Sequence, residues 1–249
     1  MATALNLLNN VLRGLRRDIL DATSTTDAYH LLLIQWLNLA KDDIEAQWDW
    51  EALRTTVTVA LSASTQTYTL SAAGPADVDV SDKSRLLYER GVRYARTYEE
   101  TSERYTEALP QVFDTTDASE YRLHELSWEQ FERMRRTDSD DTATRPLYFA
   151  LRRTGTYQEL GVWPMPSGSR TLTMRFVIPQ TEIPYTFMTA YTLEIPDTPV
   201  WTAALVKAIE DRGENTGRPM MGIQKDADDA LAVALAREQS QFYDTLNPV

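Results

Sequence analysis

Asp77, Asp79 and Asp82, followed by Lys83, have the residue types of a magnesium-dependent nuclease centre, in which carboxylates hold the metal. Their spacing matches no metal-binding motif, and a solvated loop is the simpler reading. A second acidic run, Asp138 to Asp141, invites a calcium-loop reading. Counted from Asp138, however, the sixth position is Ala143, where the sharp turn needs glycine, and the twelfth is Phe149, where a bidentate Glu belongs. Cysteine is absent, which removes thiolate metal sites, disulfides and cysteine nucleophiles. The two histidines, His30 and His124, would both be needed for a two-histidine relay, and each reads instead as a packing or surface residue. No G-x-G-x-x-G, phosphate-loop, G-x-S-x-G or H-E-x-x-H pattern occurs. The basic pairs Arg16-Arg17, Arg135-Arg136 and Arg152-Arg153 each lie near acidic residues and read as salt-bridging surface. Trp36, Trp48, Trp50, Trp128, Trp163 and Trp201 fall mostly on apolar faces and read as core. The expectation is a protein that is not an enzyme, with no cofactor and no metal.

The elements that would carry these residues come next. At 249 residues and 43% hydrophobic content, the chain can bury a proper core. Leu5, Leu8, Leu12, Leu15 and Ile19 predict an amphipathic helix from Ala4 to Asp21. Ser24 and Asp27, in capping-box spacing, predict the start of a second helix through Leu33, Leu37, Ala40, Ile44 and Trp48. Leu32, Trp36 and Leu39 make that helix apolar on a further side, which suits a bundle interior or a contact between subunits. Val57, Val59 and Leu61 alternate as a strand, followed by a turn and a second strand, Thr67 to Leu70. Residues 71–84 look like an exposed loop, and 86–123 lean towards strands. Ser127 caps a short helix near 127–136, with Phe131 and Met134 on its apolar side.

Strands follow at Leu147–Arg152, Tyr157–Trp163 and Thr171–Ile178, the last two read as a hairpin about Pro164, Pro166 and Gly168. Thr198-Pro199 reads as the cap and first turn of a helix ending near Gly213 or Gly217. A final helix from about Ile223 frays at Asn247-Pro248-Val249. The fold class is therefore α+β: a bundle of N- and C-terminal helices (1–53 and 196–249) with an inserted antiparallel β-rich domain (54–195).

Net charge is −12, which opposes gripping nucleic acid. An acidic bore would instead repel phosphates and let DNA slide. No apolar run approaches the roughly 18 residues of a membrane span, and the first residues lack a secretory pattern. A soluble protein made in a cytoplasm, with no membrane partner, is expected.

In this order the motifs resemble those of the tailed-phage head-to-tail adaptor proteins, also called neck or head-completion proteins. Trp36-Leu37-Asn38-Leu39-Ala40 leads to Trp48-Asp49-Trp50 and Leu53-Arg54, and then to Tyr68-Thr69-Leu70. Pro146-Leu147-Tyr148, Leu160-Gly161-Val162-Trp163-Pro164-Met165-Pro166 and Phe176-Val177-Ile178-Pro179 follow. Arg212-Gly213-Glu214-Asn215 and the Ala-rich segment from Ala227 to Arg237 close the series. The resemblance implies a structural virion protein, assembled in the host cytoplasm into a homo-oligomeric ring, usually a dodecamer. Such a ring docks beneath the portal protein, extends the channel for viral DNA and meets the next tail or neck component. Ring contacts are expected on the bundle, including Leu32, Trp36 and Leu39. Portal docking is expected on an extended tail carrying Phe242, Tyr243, Leu246, Pro248 and Val249. The rival readings are a tail-tube or gatekeeper protein of a short-tailed phage, and a metal-dependent hydrolase using the acidic loops.

Overall fold

A computed structural model of the chain describes residues 2–21, 24–89, 109–137, 142–213 and 219–246, the side chains of 89 and 240–246 excepted. Among them are five α-helices: α1 Ala4–Gly14, α2 Ala28–Gln47, α3 Trp128–Thr137, α4 Asp197–Arg212 and α5 Met220–Leu246. The chain divides into two units, one of residues 1–53 with 179–249 and one of residues 54–178. The class is α+β, with helices and largely antiparallel sheets.

In the helical unit, α1 and α2 pack on α4, and α4 packs on α5. Thr3 caps α1 by accepting from the Asn6 N–H, and Leu7, Leu8, Val11 and Leu12 form its buried stripe. The helix stops at Gly14, seven residues before the expected end. Arg16 turns left-handed at φ 56°, and the Arg16 and Arg17 N–H groups close back on the Arg13 and Leu12 carbonyls. The chain then folds back along α1. The Asn9 amide brackets the Leu20 peptide, accepting from its N–H at 2.8 Å and donating to its carbonyl at 2.9 Å. Ile19, expected on the buried stripe, is consequently exposed. Gly14 is required for a different reason: a Cβ there would sit 2.7 Å from Leu205 of α4. Asn9→Ala leaves the Leu20 peptide without its bracket and is expected to cost about 1–2 kcal/mol. A faster-exchanging Leu20 amide and a lower urea midpoint would show it.

Asp27 caps α2, accepting from the Tyr29 and His30 N–H groups at 2.9 and 3.2 Å. Ser24 does not cap it; Thr25 Oγ1 accepts from the Asp27 N–H instead. At the far end Trp50 donates its indole N–H to the Ile44 carbonyl, satisfying a last-turn acceptor. Residues 179–195, expected in the insert, group with the helices. Asn38 brackets the Ile183 peptide as Asn9 does Leu20. Lys41 donates to the Gln180 carbonyl, and Leu193 to that of Ala2. Ile183, Met188, Leu193 and Ile195 are buried at spacings of neither helix nor strand period, so nothing in the pattern announced a packed strap. The helix α4 starts at Asp197, which puts Thr198-Pro199 inside its first turn rather than at its cap. It ends at Gly213, left-handed at φ 62°.

The other unit holds thirteen strands among the described residues: β1 Arg54–Leu61, β2 Thr67–Thr69, β3 Arg85–Leu86, β4 Tyr88–Glu89, β5 Leu109–Pro110, β6 Val112–Asp114, β7 Tyr121–Arg122, β8 His124–Glu125, β9 Thr142–Ala143, β10 Tyr148–Arg153, β11 Gln158–Trp163, β12 Met165–Pro166 and β13 Arg170–Val177. One sheet runs β1-β13-β6-β7 with β3 also on β13; a second runs β2-β11-β10-β8. Two small pairs, β12-β9 and β4-β5, complete the set. Val57, Val59, Leu172, Met174 and Phe176 from the first sheet share one core with Tyr68, Phe149, Leu160 and Val162 from the second.

The expected hairpin between the strands now seen as β11 and β13 does not form. Their inward faces are the ones read from the sequence, but β11 pairs with β10 and β2, and β13 with β1, β6 and β3. The connection is held on its own account by β12 on β9 and by Ser64 N–H to the Pro166 carbonyl. Alternation fixes which side of a strand is buried, and leaves its partner open. Residues 71–84 are likewise no mere exposed loop. Ala76 and Val80 are buried, and Val80 exchanges backbone bonds with Leu70 and Gln158.

On the outer face of the second sheet, Ser127 and Gln130 form a reciprocal capping box that starts α3. Phe131, fully buried, lies over Gly161, where a Cβ would come within 2.7 Å of its ring.

Candidate assembly surfaces

The acidic loop spends its carboxylates on its own backbone. Asp77 accepts from the Thr58 N–H at 2.8 Å and Asp79 from the Ala72 N–H at 2.7 Å. Asp82 accepts from Thr154 and Gly155, bracing a turn in which Gly155 has φ 103°. Each carboxylate points to a different stretch of chain. Among the described residues no three His, Cys, Asp or Glu side chains converge on a common point. The geometry of these three carboxylates is that of loop staples. The Asp138 to Asp141 run lies outside the described residues.

Polar chemistry elsewhere is also spent on the fold. His30 Nδ1 lies 3.1 Å from Thr25 Oγ1, and exposed His124 neighbours the Tyr148 ring. Arg152 pairs with Glu159 and lies 4.3 Å from the centre of the Trp128 ring. Arg170 donates to Asp117 and to the Thr144 carbonyl, which holds the Asp117 carboxyl below its ordinary range. Burial, reinforced by the Glu125 carboxylate it donates to, pushes the Tyr88 hydroxyl up to about 12.

Two deeply buried charges of opposite sign lie on α2. Lys41, 1% exposed, donates to Asp42 at 2.9 Å, to Glu45 at 3.2 Å and to the Gln180 carbonyl at 3.0 Å. Glu45 is 3% exposed. Desolvation raises its carboxyl above the usual value, and the neighbouring Lys41 opposes that shift. This network holds the 179–195 strap to α2.

The expected assembly residues fall in three settings. Leu39 is 55% exposed and Leu32 is half-buried, whereas Trp36 packs inside its own subunit. The backbone of α5 continues through Leu246, so positions 242, 243 and 246 lie on its closing turns and not on an extended tail. The helix ends at Leu246, one residue before the stretch Asn247-Pro248-Val249 at which fraying was expected. Pro248 and Val249 lie outside the described residues, as does Asn215 of the Arg-Gly-Glu-Asn motif. Two exposed aromatics escaped the sequence reading. Phe187, 77% exposed, and Tyr185, 56% exposed, stand on the strap beside buried Met188. Phe187 has φ 53°, a left-handed backbone unusual for a bulky residue. No periodic signal marks either one.

Two clefts complete this surface. One, of about 250 Å³, has Trp50, Ile195 and Ala2 in its lining, with Glu194, Asp197 and Glu238 around them. The other is lined by Leu12, Arg17, Tyr29 and Arg212 together with Asp18 and Asp27. The two guanidinium groups lie 5.6 and 5.1 Å from the Tyr29 ring centre. No described helix is long and apolar enough to cross a membrane.

No curated protein gives a match to the chain. A family model described as SU10 adaptor protein matches residues 2–248.

Proposed function

The chain belongs to the SU10 adaptor protein family, and from that premise we propose that it forms the ring that joins a phage head to its tail. The coarser statement follows from membership itself: this is a phage structural adaptor, a component of the virion. The finer reading has the protein assemble as a homo-oligomeric ring, a dodecamer in the form expected, beneath the portal protein. The ring extends the channel through which viral DNA passes and presents a surface to the next tail or neck component. The observation that carries the reading is the extent of the match, which spans both units and almost every residue.

Several features support it. The titratable side chains described above serve loops, caps and ion pairs. Leu39 and Leu32 offer apolar surface on α2 for contacts between subunits, beyond what the subunit itself buries. A net charge of −12 suits a conduit that must not hold DNA. Electron microscopy of the purified chain mixed with the portal protein of the same phage tests the reading directly. A ring stacked under the portal is expected; a chain that never associates with the portal overturns it.

Portal docking is assigned to the closing turns of α5 and the residues after them, with Phe242, Tyr243, Leu246, Pro248 and Val249 as the contact set. Deleting residues 242–249 is expected to abolish co-sedimentation with the portal while leaving the helical circular-dichroism signal and the thermal midpoint nearly unchanged. Retained binding would remove this assignment.

A further inference from the structure

In a chain of net charge −12, one corner of the helical unit is basic and aromatic. Arg13, Arg16 and Arg17 close α1, and Arg212 closes α4. Arg17 and Arg212 lie against the Tyr29 ring. His30 beside Tyr29 meets Thr25, and the Thr25 N–H donates to the Tyr185 carbonyl, two residues before Phe187. Asp18, Asp27 and Asp211 offset part of these charges, Asp27 while also capping α2.

Two residues of this corner hold left-handed backbones that glycine would adopt more cheaply. Arg16 has φ 56° and Phe187 has φ 53°, and both side chains are exposed. The left-handed turn at Arg16 ends α1, but at both positions a large exposed side chain stands where glycine would cost less.

The acidic cleft is its complement. Trp50 and Ile195 give it an apolar floor, three carboxylates surround them, and its described lining has no basic side chain. About 250 Å³ suits one large side chain and falls short of the roughly 300 Å³ at which small-molecule pockets begin. Ala2 lines the cleft, while Arg16 lies just past the other end of α1. Eleven helical residues, about 16 Å of rise, separate the two ends, so Arg16 and the cleft of one copy do not meet. We propose that the corner carrying Arg16, Tyr185 and Phe187 docks into the Trp50–Ile195 cleft of a second copy, its arginines facing Glu194, Asp197 and Glu238. Unlike patches in contact make a heterologous interface, which repeats from copy to copy and gives a ring where its rotation closes. This inference rests on the ring reading above and names its contact.

Charge reversal on each side tests it, with ring formation read by sedimentation and microscopy, with and without the portal. R16E and E194R are each expected to weaken assembly about tenfold or more. An equimolar mixture of the two is expected to restore it, because in alternating order every contact again pairs opposite charges. F187G is expected to raise the thermal midpoint of the isolated subunit while weakening assembly. Wild-type rings that R16E and E194R leave intact overturn the contact alone, as does a mixture that stays unassembled. The same holds if R16E abolishes binding to a 30-base-pair duplex while rings persist, since the corner would then be a phosphate site. A wild-type chain that remains monomeric with and without the portal overturns the ring reading and this contact with it.

Discussion

Lys41→Met is expected to cost the helical unit about 3–5 kcal/mol at neutral pH, because it takes the ammonium away from a buried carboxylate. Glu45 would lose the Lys41 ammonium that lies 3.2 Å away, while the Gln180 N–H still donates to it. The loss should depend on pH with a definite sign. The folded carboxyl of Glu45 already lies above its ordinary value, through desolvation. The folded state therefore holds its proton more tightly than the unfolded chain does. That contribution to stability is complete below the unfolded value and disappears as pH rises through the folded one. Removing Lys41 takes away a force that opposes the shift, so the window widens upward. Urea titrations followed by helix signal should find the variant closer to wild type near about pH 5 than at neutral pH. The double variant K41M/E45L should recover most of the loss, because an apolar pair needs no desolvation of charge. A single variant as stable as wild type at neutral pH would show that solvent reaches Glu45.

Phe131→Ala is expected to cost the β-rich unit about 3–5 kcal/mol, and more than any surface change on α3. The ring is fully buried, and it sits on Gly161, whose missing Cβ makes room for it. Gly161→Ala alone is expected to cost about 1–3 kcal/mol by overpacking. In the double variant the new methyl group enters space that the ring has left. The combined loss should thus fall short of the sum by about 0.5–3 kcal/mol. Strict additivity would mean that α3 shifts away from the sheet freely.

Some of this architecture was legible in the residues and some was not, for identifiable reasons. Local signals with a fixed geometric consequence came through: Ser127 as a cap, Gly213 as one of two glycines at which the helix was expected to end, and alternation at Val57, Val59, Leu172, Met174 and Phe176. Long-range choices did not. The partners of β11 and β13 depend on strands far away in sequence, and alternation carries no information about them. The end of α1 was misplaced because Leu15 and Ile19 continued the helical period, while the stop was made by Arg16 in a conformation usually given to glycine. The strap 179–195 shows no period because two asparagine and glutamine side chains, Asn38 and Gln180, hold its peptides in place of a ladder. Of the proposed assembly surface, Leu32 and Leu39 were visible as excess apolar character on α2. Phe187 was not, since one exposed aromatic in an irregular segment leaves no pattern.

The Asn38 bracket on Ile183 joins positions 145 residues apart. During synthesis at about 5–20 residues per second, roughly 7–30 s pass between the emergence of its two halves. In that interval α1 and α2 have neither α4 nor the strap to bury their apolar faces. The strands, by contrast, all come from residues 54–178 and can pair before the chain is finished. The bundle closes last, after the strands of the β-rich unit have been made. A chain cut before residue 179 lacks the strap with Phe187 and the cleft wall at Glu194 and Ile195, so under the proposed contact the ribosome's own timing would restrict assembly to completed subunits.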